Sequence, residues 1–183
     1  MRAPLLLLLL SLQTEAVTPV VLPKTYALIR VSDGDTFEAT DGTIHFKVRL
    51  AGIDAPEKAQ PFSKVAQQRL HDSLQGKPIE LRYYQLDPYN RIIAQVLVGG
   101  RDVGLDLVAA GLAEYYRPGS DCLDFGDPKA RDPKARWRNY DILPYVEAED
   151  KARAGKLGAF VDLKKYESPC TFRKNKKLRG SKP

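Results

Sequence analysis

Cysteine and histidine are scarce in this chain, with two of each, and methionine and tryptophan occur once. The spacing of Cys122 and Cys170 resembles no zinc site. His45 and His71 have no partner at metal-ligand spacing, so both are expected to be solvated. Long apolar runs are missing too. The best one, Leu5 to Leu12, is broken only by Ser11, but it falls short of the roughly 20 residues a membrane helix needs. The Asp-Gly-Asp turn at 33–35 lacks the twelve-residue ligand loop of an EF-hand. A zinc-ribbon protein, an integral membrane helix bundle and an EF-hand sensor are therefore excluded.

What is present is a 183-residue chain, 43% hydrophobic, enough for one domain of ordinary size with terminal extensions and too apolar for a disordered chain. Arg2, the apolar run and the small residues Thr14 and Ala16 form a leader over 1–16. That predicts a secreted or periplasmic protein, or a membrane-anchored one if the leader stays uncleaved. Export would permit a disulfide between Cys122 and Cys170. The alternative is two unpaired thiols.

The formal charge of +6 and pI of about 9.3 point to an anionic partner, nucleic acid first. The excess is local. Residues 164–183 hold eight Lys or Arg and one acid, Glu167, a charge of +7 that leaves the rest at −1. That tail reads either as a solvated end or as a segment that binds phosphate backbones.

Periodicity gives the organisation. Thr25–Val31, Thr36–Thr40 and Thr43–Leu50 read as strands separated by Asp-Gly turns. In the third, Ile44, Phe46, Val48 and Leu50 alternate with His45, Lys47 and Arg49, which places Arg49 opposite the apolar face. Phe62, Val65, Ala66, Leu70 and Leu74 then follow helical spacing, with Gly76 as a stop. Strands are expected at Pro78–Tyr84 and Ile92–Val98, a short helix at Val103–Gly111 and a last helix over 141–157. Residues 117–140 carry a doubled Asp-Pro-Lys-Ala-Arg, too little for a solenoid, and read as a loop insertion in which Trp137 is a packing anchor. The whole fits an α+β, mainly β fold: a five-stranded OB-fold Greek-key barrel over 17–163 with about three helices.

Three segments carry candidate chemistry: Asp33-Gly34-Asp35-Thr36, Arg49-Leu50-Ala51-Gly52-Ile53-Asp54-Ala55-Pro56-Glu57, and Asp87-Pro88-Tyr89-Asn90-Arg91. Each alone is a polar turn, and Asp33 and Asp87 read mainly as turn formers. Together they supply carboxylates for a hard cation, a carboxylate for proton transfer, and two arginine forks that match phosphate oxygens. In this order and spacing they resemble the staphylococcal nuclease-like (thermonuclease) family, over roughly residues 24–165. Gly111-Leu112-Ala113 with Tyr115 and Tyr116 is similar to that family's later segment.

The resemblance implies a calcium-dependent endonuclease of broad specificity on DNA and RNA. Asp35, Asp54 and the backbone carbonyl of Ala55 would hold Ca2+. Glu57 would be general base to the attacking water, and Arg49 and Arg91 would hold the phosphate. In-line attack would leave a 3′-phosphate and a 5′-hydroxyl. Tyr89 is a candidate phosphate ligand. Tyr115 and Tyr116 are candidate base-stacking residues, one of them expected in the core and the other exposed. The sequence departs from the family at Pro88, where a phosphate-binding Lys is often found, so any preference for chain ends is in question. A monomer without a stable membrane span is expected. The alternative is a non-catalytic OB-fold module that binds nucleic acid.

Overall fold

The computed structural model describes residues 20–21, 25–116 and 141–180. The leader 1–16, the insertion 117–140 with its repeat, Cys122 and Trp137 lie outside the described residues. In chain order the elements are β1 (Val20–Val21), β2 (Ala27–Val31), β3 (Thr36–Thr40), β4 (His45–Leu50), β5 (Ile53–Asp54), α1 (Ser63–Leu74), β6 (Glu80–Leu86) and β7 (Ile92–Val98). They continue with β8 (Arg101–Asp102), α2 (Val103–Ala109), β9 (Glu114–Tyr115), α3 (Leu143–Ala154), a 3₁₀ turn (Gly158–Asp162) and α4 (Pro169–Gly180).

The main sheet runs β1-β6-β7-β4-β3-β2, antiparallel at every pair except β4 with β7. Its two ends meet. Tyr26 N donates to Ile79 O (2.9 Å) and Ile79 N to Tyr26 O (3.0 Å), which joins the start of β2 to the start of β6. The long strands β2, β3, β4, β7 and β6 thus close on themselves. This is the expected α+β, mainly β architecture, with side chains filling a small barrel. Phe37, Ala39, Val48, Leu50, Leu81, Ala94 and Val96 are buried inside it.

The alternation in β4 holds where the strand exists: Val48 and Leu50 are buried while Lys47 is exposed. Ile44 does not share that face and is 58% exposed. It belongs to the turn before β4, where Asp41 Oδ1 accepts from the backbone N–H of both Thr43 and Ile44. Helix α1 presents Ala66, Leu70 and Leu74 to the core, whereas Val65 falls off that stripe and is exposed. Gly76, at φ 69°, ends it as expected.

Helices α2 and α3 pack on each other beside the barrel. A buried ionic network then fastens β9. Glu149 Oε2 accepts from Tyr115 N (2.9 Å), Arg153 Nε donates to Glu149 Oε1 (2.6 Å), and Tyr166 Oη donates to Glu114 Oε2 (2.7 Å). Arg153 also lies over the Phe160 ring, 4.1 Å from its centroid. Since Glu114 pairs in register with Asp54, the network backs the segment that carries the site.

The basic tail is not free chain. Its residues Pro169–Gly180 form α4, with Ser168 Oγ accepting from Thr171 N (3.1 Å) at the first turn. Cys170, in that turn, is disulfide-bonded, and among the described residues no cysteine is free. Among the described residues no helix is long and apolar enough to cross a membrane.

Candidate active site

Strand order brings the three sequence segments together. β3 and β4 pair with Thr36 opposite Arg49, and Leu50 N donates to Asp35 O (2.9 Å), so Asp35 sits at the end of β3 beside Arg49. β7 lies on the other side of β4, with Val48 opposite Ile92, which delivers Arg91 to the same end of the barrel. After Leu50 the chain turns through Ala51 and Gly52 into β5, which carries Asp54, and Glu57 follows one short bend later. The turn at 33–35 is close-packed: a Cβ on Gly34 would stand 2.6 Å from Ala55 Cβ and 2.8 Å from Ala66 Cβ. Glycine there lets Asp35 and the Asp54 loop approach each other.

Asp35 and Asp54 are 5% and 2% exposed, a costly position for carboxylates without partners. Arg49 supplies one partner to both, with NH1 2.5 Å from Asp35 Oδ1 and NH2 3.1 Å from Asp54 Oδ1. Asp35 accepts further bonds from Ala55 N (3.1 Å, to Oδ2) and Thr36 Oγ1 (2.9 Å, to Oδ1). Burial pushes the Asp35 carboxyl up, but the charge of Arg49 and these two donors outweigh it and hold the group below the usual carboxylate range. At Asp54 burial prevails and, with the charge of Asp35 added, raises the carboxyl despite its arginine partners. Asp33 is a turn former as expected, accepting from Asp35 N (3.2 Å); burial and the charge of Asp35 push its carboxyl up to about 6.

Glu57 lies at the solvent side of this pair, its side chain 37% exposed and its backbone N–H bonded to Gln60 Oε1 (2.9 Å). Arg91 is linked through Thr36: its NH1 reaches Thr36 Oγ1 at 3.5 Å, and that hydroxyl donates to Asp35. Asp87 aims Arg91, accepting from Arg91 Nε (2.7 Å) and from the backbone N–H of Arg91 and Tyr89 (both 2.9 Å). Asn90 takes the left-handed conformation this turn requires (φ 58°). Burial raises the Asp87 carboxyl, but these donors from Arg91 and Tyr89 outweigh it and keep it below the usual range.

Asp87→Ala should therefore cost about 1–3 kcal/mol, because a charged hydrogen-bond acceptor with three donors is removed, and should release the aim of Arg91. Asp87→Asn retains the acceptor for the two N–H groups and should keep more stability than function. Thermal unfolding and substrate affinity of both variants check this; unchanged affinity in Asp87→Ala would remove Asp87 from the positioning of Arg91.

The tyrosines are less concentrated. Tyr89 is 80% exposed, with the Arg91 guanidinium 5.4 Å from its ring centroid. Tyr115 pairs in register with Ile53, next to Asp54, and Tyr116 N donates to Gly52 O (2.9 Å). Neither divides into core and surface as expected: both are half-buried, because β9 lies at the barrel's rim.

One residue of the cluster has no counterpart in the sequence reading. Arg173 of α4 donates from NH1 to Asp54 Oδ1 (3.0 Å) and Glu57 Oε1 (2.7 Å), and from NH2 to Asp54 Oδ2 (2.7 Å). A lysine- and arginine-rich terminus offers no pattern that singles out one member, so only the fold could find it.

Comparison with known proteins identifies the family. The family model for staphylococcal nuclease homologues matches residues 47–159, which include Arg49, Asp54, Glu57 and Arg91 but not Asp35. A probable endonuclease LCL3 of Phaeosphaeria nodorum is 36% identical over 141 residues, 72% of this chain and 42% of its own length. An uncharacterized endonuclease of Haemophilus influenzae is 31% identical over 155 residues, 84% of this chain and 75% of its own. An uncharacterized endonuclease of Escherichia coli is 38% identical over 90 residues, 49% of this chain and 59% of its own. The chain thus spans less than half of the fungal relative and about three quarters of the Haemophilus one. With the closed barrel, the arginine-flanked carboxylates and a family match over most of the folded region, this chain belongs to the staphylococcal nuclease homologues.

Proposed function

We infer that this site hydrolyses internal phosphodiester bonds of DNA and RNA with a calcium ion bound at Asp35 and Asp54. The observation that carries the reading is two buried aspartates bridged by one arginine, with a solvent-reachable glutamate beside them. Asp35, Asp54 and Glu57 set three carboxylates against the guanidiniums of Arg49 and Arg173, a net negative cluster that suits a cation. The donor set suits calcium as well, since hard oxygen ligands are what it takes. Among the described residues no group of three or more His, Cys, Asp or Glu is placed to hold a metal ion, so the side-chain ligands number two. The ion would be held by the two aspartates, the Ala55 carbonyl and water, an open arrangement that leaves room for substrate.

When bound, calcium supplies Lewis-acid polarisation of the phosphate and orients the nucleophilic water. The chain's own residues do the rest. Glu57 accepts the proton of the attacking water. Arg49 and Arg91 hold the non-bridging oxygens through planar forks and neutralise the charge that grows on them. Exposed Tyr89 donates a hydrogen bond to a phosphate next to Arg91, while half-buried Tyr115 and Tyr116 offer ring edges to a base. Pro88 has no cation for a terminal phosphate, which favours internal cleavage. Export directed by residues 1–16, and a monomeric state, are further parts of this reading and rest on the sequence.

Incubation with circular single-stranded DNA and with RNA, followed by end-group analysis, tests the function. Linearised products with 3′-phosphate and 5′-hydroxyl ends are expected on both substrates. Binding of either polymer with no cleavage under any divalent ion would return the chain to a non-catalytic binding module.

A further inference from the structure

Arg173 occupies Asp54, one of the two carboxylates that the reading above gives to calcium, and Glu57, its general base. Its guanidinium spans Asp54 and Glu57 with three hydrogen bonds of 2.7–3.0 Å, bidentate on Asp54. Asp54 Oδ1 is shared with Arg49. A cation cannot take the Asp54 oxygens while both forks hold them.

The contact is built into the fold. Gln60 ties two segments together: its Oε1 accepts from Glu57 N (2.9 Å) and its Nε2 donates to Glu167 O (2.7 Å), just before α4. Asn175 Nδ2 donates to Glu167 Oε1 (2.7 Å), and Cys170, one helical turn before Arg173, is held by its disulfide. The seat is nevertheless loose. A cavity of about 390 Å³ beside it is lined by Pro56, Phe62, Tyr166 and Phe172. The Arg173 side chain is 38% exposed. That exposure gives the guanidinium a path away from the carboxylates while the start of α4 remains anchored.

We propose that Arg173 is an internal counter-cation that competes with the divalent ion for Asp54 and covers Glu57, so that it sets the metal affinity of the site and holds it closed when the ion is scarce. The proposal rests on the calcium reading. Arg173 leaves Asp54 when calcium enters, and Glu57 is freed for water in the same step. The enzyme then responds to calcium concentration more weakly than its aspartates alone would dictate.

Calcium titration of the full chain by isothermal calorimetry, without nucleic acid, tests this. Arg173→Ala should bind calcium about tenfold or more tightly than the wild type, the factor expected for a charge-assisted pair that no longer has to be broken. Arg173→Lys, which keeps the charge but loses the fork, should fall between the two. Lys174→Ala removes one charge from the neighbouring, exposed position and should match the wild type. Circular dichroism confirms that each variant is folded, and Arg173→Lys serves if Arg173→Ala is not. Equal affinity in wild type and both Arg173 variants, or the same gain in Lys174→Ala, overturns the proposal while leaving the calcium site intact. Absence of calcium binding in every folded variant overturns the calcium reading itself, and this inference with it.

Discussion

Glu57→Gln should lower the cleavage rate by about 10²- to 10⁴-fold, the usual contribution of a positioned general base, with the fold unchanged. Glutamine has the same shape and can still accept a hydrogen bond from Arg173, but it cannot take a proton from water at neutral pH. Little stability should be lost. The Glu57–Arg173 pair is over a third exposed on each side, and such pairs contribute about 0–1 kcal/mol once solvent screening is counted. Affinity for nucleic acid should also remain, because Arg49 and Arg91 are untouched. Single-turnover cleavage beside a thermal melt separates these quantities. A folded Glu57→Gln protein that cleaves at the wild-type rate would take Glu57 out of the mechanism.

Arg49→Ala should be the most damaging single change, because one side chain carries two duties. It neutralises both buried aspartates, and in the proposed mechanism it grips the phosphate. Removing one partner of a buried ion pair costs about 3–5 kcal/mol, so the variant should be strongly destabilised as well as inactive. The pH dependence has a definite sign. In the wild type the Asp35 carboxyl is held below its usual range, with burial opposing and Arg49 prevailing. A depressed carboxylate stabilises the fold above the unfolded pKa of about 3.9, and that contribution disappears as pH falls through the folded value. Without Arg49, burial is left to raise the same group. The stability gap between wild type and Arg49→Ala should thus be widest near neutral pH and narrow as the medium becomes acidic. Urea melts across that range measure it. A gap independent of pH would mean that Arg49 acts through packing alone.

The local signals in the sequence were strong where period and chemistry coincide. Alternation in β4 placed Val48 and Leu50 inside and Arg49 on the other face. The Asp-Gly turns, the Gly76 stop and the Pro88–Asn90 turn mark boundaries that the structure retains. Errors fall at element ends. Ile44 and Val65 fit an apolar pattern by type, yet one precedes its strand and the other lies off the helix stripe, so both are exposed. Tyr115 and Tyr116 do not divide into core and surface because the first ends a two-residue strand and the second follows it, and both are only partly buried. Arg173 was illegible for a different reason. It acts more than a hundred residues from its partners in sequence, and its neighbours are equally basic. Charge composition announced a phosphate-seeking tail; tertiary packing sends one of its charges inward to the chain's own carboxylates.

In the proposed mechanism these carboxylates work through a bound metal ion. Cleavage of single- and double-stranded DNA, followed with calcium and then with a chelator in excess, tests it most directly. Rapid cutting is expected with calcium, none with the chelator, and full recovery when calcium is restored. Cutting that persists at an undiminished rate in the chelator would contradict it.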